Sequence, residues 1–360
     1  MVDHSSPPRP PLSTASLIAR LAGIGAVVAV VAGAFAYVNG TLDPQRLRPK
    51  TLVNALETNN GVHPGFRRNH AKGICVAGYF ESTPEARTYS SAQVFSEAKT
   101  PVIGRFALPS GNPYAPDSSV PIRSFAVQFS QANGQQWRTG MNSMPVFPVG
   151  TPEAFYQLLQ AGAPEPATGK PNPASMPAFF AAHPETAPFL AWVKTAKPSA
   201  SYATETYNGI NAFYLVGADG KRQAVRWGVV PQSQDEPGDT APAGSEYLEQ
   251  DLVQRLAAGP LRWQLNMTLA NPGDPVDDAS KAWTGEHKVI NAGTLVLQSS
   301  QPQADGDCRD INFDPLILPS GIEASNDPLL AARSAAYASS YLRRAGEVGP
   351  LHSAPQESKP

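Results

Sequence analysis

Residues 329–344 read LLAARSAAYASSYLRR, rich in Ala, Leu and Arg, with no Pro and no Gly before Gly346. That composition specifies a helix, with Asp327 and Pro328 suited to its N-cap and first turn and Gly346 to its C-cap. Arg333 and Tyr337 stand four apart and Arg344 follows seven later, so the three side chains point roughly the same way. A phenol that is to serve as phenolate at neutral pH needs at least ~4 kcal/mol of preferential stabilisation. Arginine charge, hydrogen bonds and direct bonding to a ferric iron are the available sources. The segment is either an amphipathic core helix or an iron-binding one, and residues elsewhere in the chain decide.

The chain has 360 residues with 28 Lys and Arg against 30 Asp and Glu, a formal charge of -2. No broad basic surface for nucleic acid follows from that balance. The 37 prolines and 29 glycines call for turns and long irregular connections, not a helical bundle, and 41% apolar residues suffice for a large core. There are two cysteines. Cys75, inside the apolar run ICVAGYF, reads as a small buried residue in preference to half of a disulfide, and two cysteines alone cannot build a metal-thiolate site.

Residues 1–20 are rich in Pro and Ser and read as a disordered cytoplasmic tail. Residues 21–38, LAGIGAVVAVVAGAFAYV, carry no charge over eighteen positions. That length suits a single-pass anchor, and Arg9 and Arg20 in front of it orient the main domain to the far, periplasmic side of a bacterial inner membrane. Cleavage after the AFA triplet at 34–36, leaving a soluble periplasmic protein, is the alternative. An arm over residues 41–61 leads into a main domain of residues 41–346, and residues 347–360 form a flexible tail.

Within the domain, HPGFRRNHAKG (63–73) is too polar for a core helix, and Arg67 and His70 can face one ligand. Strand-like runs follow: ICVAGYF, VIGRFAL from Val102, PIRSFAVQFS from Pro121 and QQWRTGM from Gln135, with Asn133-Gly134 as a hairpin turn. Asn142 opens NSMPVFPV, which enters a helix with Thr151 as N-cap and Pro152 at its first position. Phe147 and Phe155 supply flat apolar surface. Short helices are expected within 178–195 and 246–258, with a polar linker, SQDEPGDTAPAGS (233–245), ahead of the latter. Further strands fall in 209–232, where Asp219-Gly220 makes a second hairpin turn, and in 261–270 and 287–298. Six to eight antiparallel strands with long excursions favour an α+β domain around a closed barrel of about eight strands, which removes exposed edges. There is no GxGxxG, Walker, GxSxG or HExxH motif.

These motifs, taken together and in order, resemble the catalase family, specifically its short catalase-related peroxidases, over most of residues 64–344. RRNHAKG resembles RVVHAKG, which implies His70 as the distal histidine and Arg67 as a haem-propionate ligand. TPVIGRF implies Arg105 as a second propionate ligand. GMNSMPVFPV is similar to GNNTPVFF and implies Asn142 as the distal asparagine, with Phe147 and Phe155 as aromatics near the haem. ARSAAYASSYLRR resembles the proximal R-x-x-x-Y stretch, implying Tyr337 as axial iron ligand, Arg333 as its partner and Arg344 as a further propionate contact. FDPL (313–316) also fits the short members.

The resemblance implies a haem b peroxidase acting on peroxide with a small organic electron donor; oligomeric state is left open. His70 would move a proton between peroxide oxygens while Asn142 holds the peroxide. Two departures stand out. Ala107 replaces a Ser or Thr whose hydroxyl orients the distal histidine, and Asn69 replaces a valine, so a looser, more polar distal side is expected to weaken dismutation relative to donor oxidation. A fatty-acid hydroperoxide isomerase or lyase and a non-catalytic haem or hydrophobic-ligand carrier are the competing readings.

Overall fold

The computed structural model describes residues 13–38, 47–232 and 246–348. Most of both expected tails and the polar linker 233–245 lie outside these residues. The chain divides into a unit of residues 1–48 and a unit of residues 49–360.

The first unit is helix α1, Thr14–Val38, 25 residues long, with a mean hydropathy of 2.2 over its most apolar 18 residues. At 1.5 Å per residue it is roughly 37 Å long, enough to cross a bilayer core. It starts earlier than the expected border at residue 21, because Leu17 and Ile18 continue the apolar run and the Ser13 hydroxyl accepts the Ser16 N–H at 3.3 Å.

In the second unit ten strands form one sheet: β1 Gly73–Ser82, β2 Thr100–Ala107, β3 Ser124–Ser130, β4 Gln136–Asn142, β5 Tyr207–Asn208, β6 Phe213–Val216, β7 Arg222–Pro231, β8 Leu261–Leu269, β9 Val289–Pro302 and β10 Ile322–Ala324. Neighbours pair antiparallel, and β1-β2-β3-β4-β5-β7-β8-β9 close on themselves as an eight-stranded barrel, with β6 and β10 added beside β7. Closure leaves no open edge along the barrel. The helices are α2 Pro49–Asn60, α3 Pro84–Arg87, α4 Pro152–Ala161, α5 Ser175–Ala182, α6 Ala187–Val193, α7 Tyr247–Ala258 and α8 Pro328–Val348.

Period-two alternation sorts the strand residues. Phe106, Phe125, Phe129, Trp137 and Trp263 are buried together in the main core, with Phe106 stacked on Phe125 at 4.2 Å and Phe129 on Trp137 at 4.5 Å. The barrel interior is therefore packed solid, and the opposite parity of β2, β3 and β4 faces outward. Two cross-strand rows run over that outer face: Arg105, Ala126 and Gly140, then Ala107, Ser124 and Asn142.

Two expectations are corrected. Cys75 forms a disulfide with Cys308, with Cα atoms 5.3 Å apart and a sequence separation of 233. Cys75 lies opposite Arg105 on β1, on the outer face, where the loop after β9 packs; an apolar run reveals burial but not a partner so remote. Gly346 is not a C-cap, since α8 runs through it to Val348. Glu347 accepts from Gly65 N–H and pairs with Arg68, so tertiary contacts hold the last turn against the roughly 1 kcal/mol that a helical glycine costs. The N-terminal end is as expected, with Asp327 Oδ1 accepting Leu329 N–H at 2.9 Å.

Candidate active site

Between the outward-facing rows of the barrel and α8 lies a cavity of about 400 Å³. All nine residues singled out from the sequence line it: Arg67, His70, Arg105, Asn142, Phe147, Phe155, Arg333, Tyr337 and Arg344. Five elements bring them together, namely the loop before β1, strands β2 and β4, helix α4 with the segment leading to it, and α8.

On α8 the four-residue spacing sets Arg333 beside Tyr337, with Nη2 donating to the phenol oxygen at 3.4 Å and to Gly140 O at 3.3 Å. Arg333 Nη1 donates to Asn211 Oδ1, and Asn211 is held by Asp327 at 2.8 Å. Gly140 permits this approach, because a Cβ there would stand 3.2 Å from the Arg333 guanidinium. The helix face is thereby braced against β4.

His70 has φ 58, the only positive value among described residues other than glycine. Such a conformation costs of order 1–3 kcal/mol and persists only where surroundings over-determine it. Asn69 supplies part of that determination: its Oδ1 accepts the His70 N–H at 3.0 Å. Asn69, which also lines the cavity, thus caps the strained backbone of His70. Surface area leaves His70 and Arg67 half-buried, but both line the cavity, so for charge they behave as buried groups. Burial, then Arg105, Arg333 and Arg67, push the imidazole down to about 3, opposed by a hydrogen bond with Asn142. His70 is neutral across the physiological range and ready to accept a proton.

Arg67, Arg105 and Arg344 converge from three elements. Arg67 Nη2 donates to the carbonyls of Cys308, Arg309 and Ile311 at 3.1, 3.2 and 2.8 Å. Arg105 donates to Gln303 Oε1 at 2.7 Å and to Ala71 O at 3.2 Å, and Arg344 to Arg309 O. Gly73 is required here, since a Cβ would come within 2.6 Å of the Arg105 guanidinium carbon. Burial and mutual repulsion pull Arg67 well below its ordinary value, while Asp310 acts the other way. Burial takes Arg105 to about 9, and burial likewise lowers Arg344. Among the described residues none of the three makes a salt bridge to a carboxylate. Three cations whose hydrogen bonds go to neutral oxygens, with the Asp310 carboxylate acting on Arg67 and Arg344, make a receptor for an anionic ligand.

The catalase family model matches residues 43–349. The chain belongs to the catalase family. It is 39% identical over 299 residues to a catalase-related peroxidase of Synechococcus elongatus, covering 82% of this chain and 88% of that one. With a catalase-related peroxidase of Mycolicibacterium paratuberculosis it shares 31% identity over 304 residues, 83% and 96% of the two chains. Catalase A from Saccharomyces cerevisiae superposes with a TM-score of 0.70 at 20% identity over 81% of this chain and 64% of that longer one. A fungal catalase gives 0.69 at 20% identity over 83% and 63%. The protein is therefore an oxidoreductase of catalase-like or peroxidase type, and the family implies a haem.

The residues present fit that group. The cavity offers flat surface where Ala126 and Gly140 follow Arg105 across the sheet, an aromatic pair in Phe147 and Phe155 at 5.4 Å, and cations for two carboxylates. Sequence reasoning missed Ser124, Gly140 and the Arg67-binding carbonyls of 308–311. Counting by twos from Arg105 and Asn142 through the Asn133-Gly134 turn would have found the first two. No local signal marks Gln303 or the carbonyls.

Proposed function

We propose that the protein is a haem b peroxidase that reduces hydrogen peroxide or an organic hydroperoxide with a small organic electron donor. In this reading Tyr337 binds the iron, with Arg333 donating a hydrogen bond to its phenol oxygen, while Arg67, Arg105 and Arg344 hold the propionates and Phe147 and Phe155 flank the porphyrin. The observation that carries it is the meeting, in one cavity, of the Arg333–Tyr337 pair with a neutral His70 hydrogen-bonded to Asn142.

When bound, the haem supplies the iron and the electrons that break the O–O bond. The protein supplies positioning and proton movement. His70 accepts the proton of the peroxide oxygen nearer the iron and returns it to the departing oxygen, which leaves as water or an alcohol. Asn142 holds the peroxide within reach of the imidazole. Ala107 cannot brace that imidazole, which favours donor oxidation over dismutation.

Tyr337→Phe is expected to lose most of its haem, and an unchanged spectrum and haem content would sink the assignment. His70→Ala is expected to keep its haem and to consume peroxide about 10²–10⁴-fold more slowly. Oxygen release by the wild type without donor oxidation would make it a catalase.

For location, the same reading puts α1 through a bacterial inner membrane and the domain in the periplasm, or uses α1 as a cleaved signal. The apolar helix and the Cys75–Cys308 disulfide both support export, since disulfides persist in oxidising compartments. Protease treatment of spheroplasts tests it; a protected domain would overturn export.

A further inference from the structure

Ser124 is the middle residue of the cavity-facing row that runs from Ala107 on β2 to Asn142 on β4. Its hydroxyl donates to Asn142 Oδ1 at 2.6 Å, it is buried, and it lines the cavity. The pairing is forced by the sheet, because directly opposite residues on one face hold their Cβ atoms about 4.5–5.5 Å apart. A primary amide rotated by half a turn fits the same space but exchanges an acceptor for two donors. Which end of Asn142 meets a ligand therefore depends on a partner that distinguishes oxygen from nitrogen.

We propose that Ser124 is a positioning residue that fixes the amide of Asn142, holding Oδ1 toward the strand so that the Nδ2 hydrogens face the peroxide. A hydroxyl alone would not settle the flip, since it can also accept. The geometry chooses: Oδ1 is the end that stands 2.6 Å from Ser124 Oγ, which leaves the two Nδ2 hydrogens on the side of the cavity that His70 also lines. The donors left over are those that a peroxide oxygen, an acceptor, requires. Ala107, the other neighbour in the row, has no polar atom with which to do this, so the orienting hydroxyl of this chain stands one strand over from it.

The inference rests on the haem peroxidase reading, and its test is made on the haem-loaded protein with two readouts. Equilibrium cyanide affinity, followed by the haem absorption spectrum, reports hydrogen bonding at the site without turnover. Steady-state kinetics separates peroxide from donor. One hydrogen bond is worth roughly 1 kcal/mol, or about fivefold. Ser124→Ala is expected to weaken cyanide binding about fivefold and to lower kcat/KM for peroxide by a similar factor. The KM for the donor, the haem content and Tm should not change. Ser124→Thr, which keeps the hydroxyl, should restore both quantities to within about twofold. Adding Ser124→Ala to Asn142→Ala should have no further effect, because the residue acts only through the amide. Wild-type affinity in Ser124→Ala, the same loss repeated in the Asn142→Ala background, or loss of haem or Tm sufficient to explain the weaker binding would each overturn the proposal. A wild type that takes up no haem overturns the proposed function and this inference together; a haem-loaded wild type indifferent to Ser124→Ala overturns this inference alone.

Discussion

Arg67 and Arg68 are adjacent in the chain and opposite in kind. Both line the cavity, but Arg68 is enclosed by carboxylates: Nε meets Glu57 at 2.6 Å, Nη2 pairs with Glu347, and Nη1 reaches Glu347 Oε2 at 3.0 Å. Glu57 also holds Arg343 at 2.7 Å, so α2, the loop before β1 and α8 are tied by one charge network. Arg67 turns to the cavity and finds only carbonyl oxygens. Both guanidiniums are removed from bulk water, yet the carboxylates draw Arg68 above its ordinary value while burial drags Arg67 below it. A buried cation with its anion supplied by the chain marks structure; one lacking it marks a place for a ligand's charge.

The sharpest way to break this contrast is Arg68→Met, which keeps the apolar stem and leaves Glu57 and Glu347 without their partner. It is expected to cost about 3 kcal/mol of stability in urea unfolding, with and without haem. A cost below about 1 kcal/mol would mean that the network is no more than a solvated surface cluster. Next comes the disulfide, which anchors the loop whose carbonyls bind Arg67. Cys75→Ser should destabilise by about 2 kcal/mol or more, and should loosen the haem as the 308–311 carbonyls lose their tether. Equal haem affinity in that variant would separate the disulfide from the site.

Arg67→Met is the converse of Arg68→Met. Its stability cost without haem should be only about 1 kcal/mol, for lost hydrogen bonds to carbonyls, while haem dissociation accelerates at least about tenfold. If the two variants lost stability and haem alike, the distinction between the two arginines would fail.

The last contrast concerns His70 and acid. Its folded value of about 3 lies below the ordinary 6.5, so the unfolded chain binds the extra proton between the two. The neutral imidazole's contribution is fully present above pH 6.5, and is lost progressively as pH falls from about 6.5 toward 3. His70→Gln, which cannot take that proton, should flatten the pH dependence of haem-free stability in this window. The slope of urea midpoints against pH measures it, and an unchanged slope would show that His70 is not held neutral.

Much of this was legible in the chain. The helix at 329–344 is written in its composition and in Asp327, and the strands around Arg105 and Asn142 in their alternation. The four-residue spacing of Arg333 and Tyr337 places both on one helix face whatever surrounds them. These are local consequences of backbone geometry, with periods of 3.6 and 2 residues, and need no knowledge of the rest of the fold. All nine residues picked by motif line the cavity because the motifs lie on such regular elements or on the loop joined to one.

What the tertiary structure alone decided is long-range pairing. Cys75 met Cys308 across 233 residues, Glu347 carried α8 past Gly346 by reaching Arg68, and three carbonyls after β9 became the partners of Arg67. Each of these depends on which segments barrel closure brings together. Alternation assigns a residue to a face, but only the closed sheet and the loops packed on it determine what stands opposite.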